Sequence, residues 1–115
     1  MIETSIFDAL KNLVSNRCYP LLMPQDPTLP AIVFSRVASI AQNKLDAGAS
    51  LDQVRIQIDC YASTYDEAKT LSASVRSAME QADFKGTLQI DVDFYEPDLK
   101  IYRVVMDFYV WQHNS

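Results

Sequence analysis

Asp59, Asp91, Asp93 and Asp107 sit at alternating positions of three strand-like segments. Carboxylates held close together bind Mg²⁺ or Ca²⁺. A pair in unlike surroundings can divide into general acid and general base. The same segments carry Arg55 and Arg103, partners for those acids, so the pattern equally describes a solvated strand face. The two readings separate on one point: whether the four aspartates converge in a pocket or spread over an open face. Other chemistry is poorly supplied. The single histidine, His113, lies beside the end of the chain, where segments fray. The only glycines, Gly48 and Gly86, belong to no phosphate-cradling loop. Cys18 and Cys60 are far apart and have no histidine at zinc-like spacing. They read as two free thiols, with Cys60 in the core. The expectation is a protein with no catalytic residue, no metal and no cofactor. A small acidic enzyme or metal-binding domain using the four aspartates is the alternative.

The 115 residues suit one domain, 1–115. Hydrophobic residues make up 49% and charged residues 22%, which is too apolar for a disordered chain. Ten Lys and Arg face fifteen Asp and Glu, giving a net charge of -5. That balance lacks the basic footprint of a sequence-specific nucleic-acid binder. No apolar run approaches a membrane span, and no basic leader opens the chain, so a cytoplasmic setting is expected.

The elements that must position these residues follow from periodicity. Ile6, Phe7, Leu10, Leu13 and Val14 recur at helical spacing, predicting a helix over 3–15 capped by Thr4 or Ser5. Residues 17–30 hold four of the five prolines and read as an extended connector. A strand is predicted over 31–39, then a long loop over 40–50. Strand 51–62 alternates cleanly, with Val54, Ile56, Ile58 and Cys60 on one side and Arg55, Gln57, Asp59 and Tyr61 on the other. Thr64 to Glu67 form a capping box that opens a helix over 64–82. Strand 87–96 alternates Leu88, Ile90, Val92 and Phe94 against Gln89, Asp91, Asp93 and Tyr95, and the first set is assigned to the core. Strand 99–112 follows the turn at Pro97. The order α-β-β-α-β-β predicts an α+β two-layer sandwich, a four-stranded antiparallel sheet with two helices on one face. The predicted core includes Leu10, Leu13, Phe34, Ile56, Ile58, Leu71, Val75, Ile90, Val92, Val104, Met106 and Phe108.

The last strand has a surplus. Its second side carries Ile101, Val105, Tyr109 and Trp111, more apolar surface than solvent favours. Aromatic residues beside arginines are common at the centres of protein interfaces. Stacking on nucleobases is the weaker reading, because the neighbouring charges are acidic. The candidate interface is therefore Ile101, Val105, Tyr109 and Trp111, with Asn43, Lys44, Leu45 and Asp46 of the long loop. The candidate acidic face is Asp59, Asp91, Asp93 and Asp107.

Three stretches together resemble a known family. They are Tyr19-Pro20-Leu21 through Leu29-Pro30-Ala31-Ile32-Val33-Phe34, then Arg55 to Ala68, and finally Phe94-Tyr95-Glu96-Pro97-Asp98-Leu99 with Ile101-Tyr102-Arg103-Val104 and Asp107-Phe108. The middle run is the most specific. The order is similar to that of the tail-completion proteins of tailed bacteriophages, also described as tail-terminator or tail-to-head joining proteins. The resemblance implies a structural role: a homo-oligomer, usually a hexameric ring, at the end of the tail tube. Such a ring stops tube growth and meets both the tail tube protein and the head-connector protein. It also implies a place in the tail or neck of the virion, host cytoplasm during assembly, and a lumen through which DNA passes. An acidic lumen would repel DNA phosphates.

Overall fold

The computed structural model describes residues 2–25, 27–42 and 50–114. The elements are α1 (Ile2–Leu10), a 3₁₀ turn (Lys11–Val14), β1 (Cys18–Pro20), β2 (Ala31–Gln42), β3 (Ser50–Ala62), α2 (Tyr65–Gln81), β4 (Thr87–Glu96) and β5 (Ile101–Asn114). The five strands form one sheet in the order β1-β2-β3-β5-β4. The α+β class holds, but the sheet differs from the expected four antiparallel strands. A fifth strand, β1, pairs parallel to β2, Cys18 opposite Ile32 and Pro20 opposite Phe34. It is three residues long and stands at an edge, where a proline costs no ladder hydrogen bond. The remaining pairs are antiparallel.

Both helices lie on one side of the sheet. Ile2, Ile6 and Leu10 of α1 and Ala68, Leu71, Val75 and Met79 of α2 share a core with Ile32, Phe34, Val54, Ile56, Ile58, Cys60, Val104, Met106, Phe108 and Val110. The capping box of α2 forms: the Thr64 hydroxyl accepts from the Glu67 amide at 3.2 Å. Helix α1 begins at Ile2, so Thr4 and Ser5 lie within it and are not its cap. Leu13, expected in the core, is 37% exposed. The chain tightens at Lys11 into a 3₁₀ turn, whose three residues per turn carry Leu13 off the α-helical stripe while Val14 stays buried.

Strands β2 and β3 outrun the predicted boundaries. Ile40 to Gln42 pair with Gln53 to Leu51, so the connection between the strands is shorter than 40–50. Residues 43–49, and with them Asn43, Lys44, Leu45 and Asp46 of the candidate interface, lie outside the described residues.

The main correction concerns β4. Leu88 pairs with Phe108 but Ile90 pairs with Asp107, leaving Gln89 as an extra residue in a bulge. One inserted residue transfers all that follows to the opposite side. Ile90 and Val92, expected in the core, are 56% and 40% exposed on the side without helices. Asp91, Asp93 and Tyr95 turn instead toward the helices.

Cys18, Ile32 and Cys60 occupy one cross-strand row. The two cysteines are thus two strand spacings apart, roughly 9–10 Å, which is beyond disulfide reach. Both are buried free thiols. Burial pushes the Cys18 thiol up to about 12 and the Cys60 thiol higher still. Among the described residues, no helix is long and apolar enough to cross a membrane.

Candidate functional site

Alternation along β3 places Gln53, Arg55, Gln57, Asp59 and Tyr61 on the side away from the helices. Strand pairing then builds three rows across that side. One row reads Val33, Asp59, Val105, Val92; its neighbour reads Ala31, Tyr61, Arg103, Phe94; the third reads Ser35, Gln57, Asp107, Ile90. Val33 and Asp59 are buried, while Ile90, Val92, Phe94 and Trp111 are exposed. Ile101 is buried, and Val105 and Tyr109 are half-buried. The candidate interface residues of β5 therefore share one side, and that side is more apolar than β5 alone predicted, because the bulge adds Ile90, Val92 and Phe94 to it. No residue type announces a bulge. The missed signal was that Ile90, Val92 and Phe94 alternate with two aspartates and a tyrosine, a pattern that marks two sides without saying which is buried.

The charges in the middle of this side are paired. Arg103 lies 3.2 Å from the Asp59 carboxylate and donates to Glu96 Oε1 at 3.1 Å. Its guanidinium stacks between two rings, 5.8 Å from the centre of Tyr61 and 5.5 Å from that of Phe94. Gln57 Nε2 donates to Asp59 at 3.0 Å. Burial alone would lower the pKa of Arg103, but Asp59, Tyr61 and Glu96 outweigh it and hold the guanidinium charged. Burial also pushes the Tyr61 phenol up. Further along, Arg55 grips Asp107 through Nε and Nη2, and that pairing raises the pKa of Arg55.

The four candidate aspartates do not converge. Asp59 and Asp107 lie on the helix-free side, each taken up by an arginine. Asp93 lies on the helix side, where it accepts from the Tyr65 hydroxyl at 2.8 Å and from Lys69 Nζ at 3.2 Å. The Tyr65 bond above all holds its carboxyl below the usual range; burial opposes it, and Lys69 adds to the lowering. Asp91 shares the Asp93 side by strand alternation. Among the described residues, no group of three His, Cys, Asp or Glu side chains is placed to hold a metal ion. Asp59, Asp93 and Asp107 are engaged as ion-pair and hydrogen-bond acceptors that tie β3 to β5 and β4 to α2.

The comparisons with known proteins bear on this arrangement. None of the curated proteins compared with the chain matches it. A solved structure described as "Virion of native gene transfer agent (GTA) particle" contains a chain of similar fold. The TM-score is 0.66 at 12% identity, covering 98% of this chain and 95% of that one. At that identity the likeness is one of fold. The sequence profile of the family described as "Tail completion protein gp17" matches residues 7–113, nearly the whole chain. That family is one of structural proteins of the phage tail, not of enzymes. Because that profile spans nearly the whole chain, the chain belongs to the tail completion protein gp17 family.

Proposed function

We propose that this protein is a virion assembly component that forms a ring of identical copies at the end of the tail tube, stops tube growth and joins tail to head. Its partners in this reading are further copies of itself, six in the ring by resemblance, the tail tube protein and the head-connector protein. Its place is the tail or neck of the virion, reached from the host cytoplasm during assembly. The observation that carries the reading is the helix-free side of the sheet. Ile90, Val92, Phe94 and Trp111 stand exposed there around a neutralised ion cluster. Soluble proteins avoid large contiguous patches of that kind unless a partner covers them.

The paired arginines make the side better suited to burial. An unpaired carboxylate would resist desolvation, whereas Asp59 and Asp107 already hold their counter-charges. By the same token, these two acids contribute little to repelling DNA in a lumen; the overall charge of -5 would do so instead. Residues 43–46 are proposed as a second contact with a neighbouring copy or the tube.

Native mass spectrometry of the purified chain tests this, alone and mixed with the tail tube protein. The expected result is a discrete closed oligomer that Val92→Lys weakens while leaving the urea midpoint nearly unchanged, because Val92 is exposed. Wild-type protein that stays monomeric in both settings, or a Val92→Lys variant that assembles as well as wild type, would contradict it.

A further inference from the structure

A groove of about 340 Å³ opens between the 3₁₀ turn, Pro30 and the first turns of α2. Leu13, Pro30 and Leu71 give it an apolar floor, and Asp66, Glu67 and Thr70 line it beside them. Leu13 is there because the 3₁₀ turn rotates it outward. The groove thus asks for an aliphatic side chain followed by a cation.

The same chain displays such a pair. Leu99 is 69% exposed at the tip of the β4–β5 turn, and Lys100 follows it with a φ of 54°. The turn is held by the Leu99 amide donating to the Glu96 carbonyl at 3.3 Å. Among the described residues, neither Lys100 nor Asp66 takes part in an ion pair. Sheet register places knob and groove toward the same end of the sheet. Ala31, next to Pro30, pairs with Tyr61, Tyr61 with Arg103, and Arg103 with Phe94. The groove and the turn therefore lie at the same end of the sheet and on opposite flanks, β1–β2 against β5–β4.

We propose that the β4–β5 turn of one copy seats in this groove of a second copy, Leu99 on Leu13, Pro30 and Leu71, and Lys100 against Asp66 and Glu67. Two different patches meet, so the contact is head-to-tail, and repetition gives a closed ring or an open filament. The inference rests on the self-assembly reading above but uses a surface separate from the helix-free side.

Two single variants, Leu99→Cys and Thr70→Cys, test it when mixed at high concentration and oxidised. Cys18 and Cys60 are buried and poorly ionised, so the introduced thiols react first. The expected product is a mixed dimer linking position 99 to position 70, in clear excess over both symmetric dimers. Adding Lys100→Glu to the first variant should lower the mixed yield about two- to fivefold, as loss of a partly exposed ion pair does. Adding Glu67→Lys to the second should restore it. Symmetric dimers equal to or above the mixed product, no cross-link, or no response to charge reversal would each overturn the proposal. If the wild-type chain still assembles by native mass spectrometry, only this contact falls; if it does not assemble, the wider reading falls too.

Discussion

Arg103 and Asp59, on adjacent strands, meet at 3.2 Å on the side of the sheet that no helix covers, and Asp59 is nonetheless 6% exposed. Val33 and Val105 flank Asp59 in its row, and Arg103 together with Gln57 repays the lost hydration of its carboxylate.

Removing one partner of this pair should cost far more than removing both. Arg103→Met strands a buried carboxylate and is expected to lower stability by about 3–5 kcal/mol. Arg103→Met with Asp59→Leu should recover most of that loss. Urea unfolding of the two variants checks it, and a double variant as unstable as the single would contradict it.

The bulge at Gln89 predicts unequal costs for two isoleucines that share one alternating pattern. Ile58→Ala, in the core, should lose about 2–5 kcal/mol. Ile90→Ala should lose no more than about 0.5 kcal/mol, the scale of a surface change. Denaturant midpoints decide, and equal losses would restore the register in which Ile90 is core.

Asp93 ties β4 to α2 through Tyr65 and Lys69. Its folded pKa lies below the unfolded value of about 4, so its contribution to stability is present above that pH and is lost as pH falls through the folded pKa. Asp93→Asn should therefore lower the urea midpoint modestly at neutral pH. The gap from wild type should close in acid. A gap that is constant with pH would show that the carboxylate charge is not what holds the strand.

Periodicity made some of this fold legible and hid the rest for physical reasons. The clean alternation of Val54 to Cys60 and the capping box at Thr64 match β3 and α2, because local pattern and tertiary burial agree there. Strand β1 carries no pattern of its own; three residues ending in Pro20 pair because β2 offers its edge. In β4, alternation between Ile90, Val92, Phe94 and the aspartates marks two sides, but the extra residue at Gln89 sets which one meets the helices. That single bulge also divides the four aspartates between the two sides of the sheet. That Ile101, Val105, Tyr109 and Trp111 share one side was readable from the alternation of β5, but their exposure was not: Ile101 is buried, Val105 and Tyr109 are half-buried, and Trp111 is exposed.

The most direct test of the assembly role is electron microscopy of particles produced with this protein deleted. The account predicts filled or empty heads and separate tails, unjoined or of abnormal length, with normal particles restored by the wild-type chain and not by Val92→Lys. Joined particles with tails of normal length in its absence would contradict it.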